Sequence, residues 1–220
     1  MKFREPAKSG CLSLVILFLC FGSLVIEGSG SAQPARPGLK EDPLQFTFDQ
    51  TRSSIYFLAS STLHPVSGKA KKFNGRIQIP NGRDPATGGV TLQIKTAALD
   101  TNHEARDKKM KESLEVNRFP LIRFNSLEIH PEFGAYSPGS MGRAEILGLL
   151  DLHGVQKKVT LPMEYNYSSE VFRGRGKVVI KMSDFRIPEP RVLFLRVKDD
   201  IEILFEIEAV PVPDPSKSRN

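Results

Sequence analysis

Apolar and polar residues alternate along most of the chain after residue 44, and that period of two predicts β-strands. The pattern is densest in Ala144–Met163, AEILGLLDLHGVQKKVTLPM, where two strand-like runs meet at Asp151-Leu152-His153-Gly154. A Gly-containing turn between alternating runs predicts a β-hairpin. The second run sets Val159, Leu161 and Met163 against Lys158, Thr160 and Glu164. The same design recurs at Phe46 and Phe48, at Ile55, Phe57 and Ala59, at Phe73, Gly75, Ile77 and Ile79, and at Leu92 and Ile94. It returns at Ile122 and Phe124, at Phe172 through Met182, and at Ile201, Ile203, Phe205 and Ile207. Leu127 and Ile129 fall on the opposite parity from Phe124, which predicts a bulge near Ser126. Pro- and Gly-bearing stretches at 60–68, 80–89, 131–142 and 184–191 read as loops or turns.

One segment breaks the alternation. Leu99–Leu114, LDTNHEARDKKMKESL, is rich in helix formers. Asp100 or Thr101 is positioned to cap a helix starting near Asn102, with Met110 and Leu114 as a narrow apolar stripe.

The expected fold is therefore all-β: an extended eight-stranded antiparallel barrel with one short helix. A single large sheet with one apolar face has nothing else to pack on, and closing on itself also removes its edges. An eight-stranded barrel is either filled by side chains or hollow enough for one ligand. Gly75, Gly148, Gly174 and Gly176 fall on inward positions, where they either leave room or relieve tight bends.

The beginning of the chain is different. Lys2, Arg4 and Lys8 precede a 16-residue apolar run, Cys11–Ile26, and then small residues through Ala32. That layout predicts a signal peptide over residues 1–32, a linker over 33–43, a barrel domain over 44–210 and a disordered tail over 211–220. An uncleaved anchor is the rival reading, although 16 residues fall short of the roughly 20 that span a bilayer. Removing the segment takes away three basic and two acidic residues, so the mature chain has 28 basic and 23 acidic, net +5. It also takes away both cysteines, Cys11 and Cys20, leaving packing alone to stabilise an exported domain. The expected location is the periplasm, with secretion or membrane anchoring as alternatives.

Catalytic and metal chemistry finds little support. His64, His103, His130 and His153 pair at no metal spacing, and no nucleophile motif or phosphate-cradling loop stands out. His153 reads as a turn residue. Lysines cluster at 69, 71 and 72, at 108, 109 and 111, and at 157 and 158. No aromatic residues interleave with them as a nucleic-acid platform requires. Solvated faces are the plain reading of these clusters; an anionic membrane surface is the functional one.

The chain resembles the YceI-like family of lipocalin-like barrels. The likeness rests on Arg106-Asp107 in EARDKKM, on Phe119-Pro120 with Ile122 and Phe124 in NRFPLIRF, and on LDLHGVQKKVTL with Leu152-His153-Gly154-Val155 and Val159-Thr160-Leu161. Asp184-Phe185 adds to it, and the likeness runs from about Phe46 to Ala209. The chain departs from the family pattern at Lys109, Val116 and Arg186. The resemblance implies a barrel capped by a helix, export to the periplasm, and a tunnel holding a long-chain lipid such as a polyisoprenoid or isoprenoid quinone. It implies binding rather than catalysis, with no cofactor beyond that lipid.

On that reading the tunnel is lined by Ile55, Phe57, Ile77, Leu92, Ile94, Ile122, Phe124, Ile146, Val159, Leu161, Phe172, Val178, Ile180, Ile201, Ile203 and Phe205. Met110, Phe119 and Phe185 are placed at its mouth, and Arg106 either meets an anionic head group or pairs with a nearby acid. The competing expectation is a filled barrel serving as a non-enzymatic stress-response or interaction module. The oligomeric state is not specified by the sequence.

Overall fold

The structure, a computed structural model, describes residues 43–61, 65–82, 84–132, 139–188, 191–192 and 195–212, with backbone alone at 191–192 and 195–196. The expected signal segment, the linker through residue 42 and the tail from residue 213 lie outside the described residues.

The strands are β1 (Leu44–Phe48), β2 (Ser54–Ser61), β3 (Val66–Ala70), β4 (Phe73–Ile79), β5 (Gly89–Lys95) and β6 (Leu99–Asp100). The helix α1 (Glu104–Ser113) follows, then β7 (Leu121–Pro131), β8 (Gly142–Leu152), β9 (Val155–Tyr167), β10 (Phe172–Lys181), β11 (Arg191–Val192) and β12 (Leu195–Pro211). Neighbours around the ring are β1, β4, β5, β7, β8, β9, β10 and β12, and β12 pairs back with β1. The result is a closed eight-stranded antiparallel barrel with one helix among the described residues.

Three of the barrel staves are broken strands, and the short β11 pairs with β12 outside the ring, which is why the pattern of eight runs becomes twelve elements. β12 is long enough to pair with β2 along Val197–Glu206 and then with β1 along Ala209–Pro211. Likewise β3 pairs with β2 and β4 with β1, the chain bending at Lys71-Lys72 between them. β6 continues β5 after a short 3-10 turn and pairs with β3. The expected bulge is present: the register of β7 on β8 shifts between Ser126 and Glu128. The extra residue, Leu127, faces outward and is 49% exposed.

Three boundaries differ from the sequence expectation. Val66–Ala70 is a strand rather than loop, because polar Ser67 and Lys69 hid a five-residue pairing with β2. The helix begins at Glu104, and its cap is His103, whose ring accepts from the Arg106 N–H at 3.4 Å. Pro211 belongs to β12, held opposite Phe46, rather than to the tail.

The hairpin turn is His153-Gly154, with φ of 55° and 72°. Two consecutive positive values are what a two-residue type I′ turn requires, and they match the twist of the flanking strands.

The interior divides into two packed zones. One lies towards α1 and includes Ile55, Phe73, Leu99, Leu114, Ile180 and Phe185. The other, at the opposite end, gathers Phe46, Ile77, Tyr165, Tyr167, Phe172 and Ala209. The inward glycines settle the question raised by the sequence. A Cβ on Gly75 would meet the Phe48 ring at 2.4 Å, one on Gly148 the Phe124 ring at 2.3 Å, and one on Gly176 the Phe205 ring at 2.5 Å. These glycines make room for the barrel's own aromatic rings.

Outside, paired charges bridge the strands. Glu208 accepts from Arg52 Nη1 at 2.8 Å and from Arg173 Nε at 2.9 Å. Glu164 accepts from Arg175 Nη2 at 2.7 Å and from Arg143 Nε at 3.3 Å. Hydrogen bonds from Arg52 and then Arg173 hold the Glu208 carboxyl below the ordinary Glu value of 4.5, and Arg175 does the same for Glu164. A carboxyl lowered in the folded state contributes stability above its unfolded value and loses that contribution as pH falls through the folded one. The melting temperature is therefore expected to fall as the medium is acidified below about pH 4.5. In a Glu208→Gln, Glu164→Gln double variant that acid limb flattens; an unchanged slope in calorimetry would remove these groups from the account.

Candidate functional site

The alternation that forms the strands also decides what faces inward. In a closed barrel every second residue points to the interior. Here that interior retains a narrow cavity of about 250 Å³ running from α1 towards Phe172. Apart from Tyr56 and Ser113, all its lining residues are hydrophobic. Such a cavity offers no partner to a charge or an unpaired hydrogen-bonding group, so only an apolar occupant suits it.

All sixteen residues placed along the tunnel by sequence line this cavity, namely Ile55, Phe57, Ile77, Leu92, Ile94, Ile122, Phe124, Ile146, Val159, Leu161, Phe172, Val178, Ile180, Ile201, Ile203 and Phe205, and so does Met110 of the three placed at its mouth. The other two, Phe119 and Phe185, are elsewhere. Phe119 packs edge-on to the His153 ring, 4.7 Å between centroids, beneath the Arg118 guanidinium at 5.0 Å. Phe185 is buried within the packed zone near α1, and its carbonyl meets His153 Nδ1 at 3.1 Å. Phe119 is committed to the β8–β9 turn and Phe185 to the packed zone near α1, so neither faces the lumen.

Sequence reasoning missed lining residues of two kinds. Val90, Leu150, Met163 and Ile207 share inward parity with residues already selected on their strands, and Phe48 lies on the alternating face read for β1, so the signal was there. Leu114 and Met182 end patterns already read but lie just beyond their elements, and Ile187 stands in a segment without a periodicity to read.

The helix end is held by a polar clamp. The Asp107 carboxylate, buried, accepts the Thr101 N–H at 2.8 Å and also the Thr101 hydroxyl. Arg106 donates from Nε to Thr101 Oγ1 at 2.8 Å and from Nη2 to the Thr101 carbonyl at 2.7 Å. Arg106 therefore ties the entry of α1 to its own N-terminal loop and does not line the cavity. Asp107→Ala leaves buried donors of Thr101 unmet, which costs about 1–3 kcal/mol. Exposed Arg106→Ala is expected to cost less, and urea denaturation of the two variants checks that order.

His153 joins three elements at this end. Beyond its contact with Phe185, its Nε2 lies 3.3 Å from Glu115 Oε1, and Glu115 Oε2 is 3.2 Å from Arg118. The described non-glycine residues with positive φ, namely Asn102, Glu115, His153 and Arg186, flank α1 or lie in the turns beside it. Departures from regular backbone gather at this end of the barrel. Its lysines are interleaved with acids: Lys71 pairs with Asp100 at 2.9 Å and Lys157 with Asp184 at 3.7 Å.

No group of three potential metal ligands occurs among the described residues, and no described helix is long and apolar enough to cross a membrane.

A family model described as YceI-like domain matches residues 46–209. Similar proteins include a UPF0312 protein of Yersinia pestis (strain Pestoides F), 28% identical over 211 residues, covering 91% of this chain and 99% of that protein. A Yersinia enterocolitica UPF0312 protein is 29% identical, covering 89% and 96%. Among solved structures, Burkholderia cenocepacia BcnA superposes with a TM-score of 0.63 at 20% identity, covering 74% of this chain and 99% of that one. A polyisoprenoid-binding domain from Saccharophagus degradans superposes at 0.62 with 15% identity, covering 77% and 99%. At those identities the superpositions speak to the fold.

Proposed function

The chain belongs to the YceI-like domain family, and on that premise we propose that it binds, and so carries or stores, a long-chain lipid of the polyisoprenoid or isoprenoid-quinone class. The observation that carries the reading is the dry cavity of about 250 Å³ along the barrel axis, lined almost wholly by hydrocarbon. The Saccharophagus degradans domain, a polyisoprenoid-binding one, supports the choice of ligand class. Burying an apolar chain there contributes about 0.8 kcal/mol per CH₂ before association and ordering costs. The lipid's polar end lies towards α1, since stacked aromatics occupy the other end of the barrel.

The role is binding rather than catalysis. The barrel acts in the cell envelope after export through the segment at residues 1–32, the periplasm being the proposed site. Exposed Lys108, Lys109 and Lys158 at the helix end would meet an anionic membrane surface during loading or delivery. Recovery of the mature chain in a periplasmic fraction, starting near Gln33, tests the location.

Added polyprenyl lipid or isoprenoid quinone tests the function. A ligand at one hundred times its dissociation constant stabilises the fold by about 2.7 kcal/mol, read as a raised melting temperature that grows with concentration. No shift with either lipid supports the rival, a filled barrel working through its outer surface. That rival draws on the Phe48, Phe124 and Phe205 rings seated over glycines in the lumen.

A further inference from the structure

At the end remote from α1 the lumen stops against four aromatic rings. Phe46, Tyr165, Tyr167 and Phe172 are all buried, at 1–5% exposure. Tyr165, Tyr167 and Phe172 stack pairwise at centroid separations of 6.1–6.3 Å, and the Phe46 ring, tilted by 53°, lies 6.1 Å from Phe172. The Tyr167 hydroxyl donates to the Gly82 carbonyl at 3.3 Å, fixing the stack to the β4–β5 connection. Of the four, Phe172 alone lines the cavity. The stack is a floor, and a floor sets a length.

The rise along β10 gives that length. Phe172 and Ile180 both line the cavity and lie eight residues apart on β10. At about 3.3 Å per residue, on strands tilted roughly 35–45°, this separation spans about 20 Å of axis. An extended carbon chain advances about as far per bond as an extended polypeptide, roughly 1.2 Å, so about 20 Å takes about sixteen bonds. With four main-chain bonds per isoprene unit, that is about four units.

We propose that the Phe46–Tyr165–Tyr167–Phe172 stack is a chain-length stop that selects single isoprenoid chains of about four units. This deepens, and rests on, the lipid-binding reading above. A longer chain must leave its surplus in water at the helix end, so affinity stops rising beyond four units, whereas in an open-ended tunnel it would keep rising. Phe172 is the residue that meets the chain's tail. Ile77 lines the cavity next to the floor, paired with Phe46 across β4 and β1, and bulk there raises the floor.

The test is competition among linear prenyl alcohols of two, four, six and eight units for the full-length protein, freed of any co-purified lipid. Affinity is expected to rise at least tenfold from two to four units and then to level or fall. Phe172→Ala should move the optimum to six units or more; Ile77→Phe should move it below four. The second variant adds a ring rather than a void, so it supplies the test should Phe172→Ala fail to fold. Affinity still climbing from four to eight units in the wild type, or an optimum unmoved in a folded variant, would overturn the length stop and leave the carrier intact. Binding of none of the alcohols would overturn both.

Discussion

Phe46→Ala is expected to lower the melting temperature by roughly 6–20 °C. Phe46 is 1% exposed and lies where the barrel closes, opposite Ile77 on β4 and Pro211 on β12. Its ring also packs against Phe172, 6.1 Å between centroids. Truncating a fully buried Phe removes its transfer free energy and leaves a cavity, together about 3–5 kcal/mol. For a domain of this size each kcal/mol is worth about 2–4 °C. Val179→Ala, at a position 53% exposed on the outer face of β10, is the control and should move the transition little. A Phe46→Ala variant melting with the wild type would mean that the barrel does not depend on this seam.

The second large effect concerns occupancy. Leu161 lines the middle of the cavity, opposite Ile146. Leu161→Trp places an indole across a passage already narrowed by the Phe124 ring over Gly148. Overpacking costs the fold about 1–3 kcal/mol. The effect on a lumenal lipid is larger in kind: excluding only two CH₂-sized groups forfeits about 1.6 kcal/mol, more than a factor of ten in affinity. Lipid recovered per mole of folded protein is therefore expected to drop at least tenfold. Undiminished lipid on a folded Leu161→Trp variant would place the lipid outside the barrel.

The barrel was legible because a half-buried strand must alternate. Val159, Leu161, Phe172 and Ile203 could be assigned to the lumen from parity alone, since a closed sheet has only one interior. Phe119 and Phe185 could not be, because they stand in turns, where no period decides direction. Arg106 could not be assigned either, because its chemistry suits an anion as well as it suits Thr101. The meaning of the inward glycines needed the register: only the pairing of β7 with β8 sets Gly148 beside Phe124. The aromatic floor was hidden for a related reason. Tyr165 and Tyr167 end β9 and Phe172 begins β10, and their stacking follows from a hairpin register that alternation does not number.

The barrel and its apolar lumen make one demand that can be met or refused directly: the protein purified from its own cells should carry a lipid. Native mass spectrometry of that material, paired with organic extraction of the same sample, is the decisive measurement. The expected result is a discrete added mass that extracts as an isoprenoid alcohol, phosphate or quinone and is lost in Leu161→Trp. A clean apo mass, with no uptake of added polyprenyl lipid or quinone, would contradict the lipid-binding account.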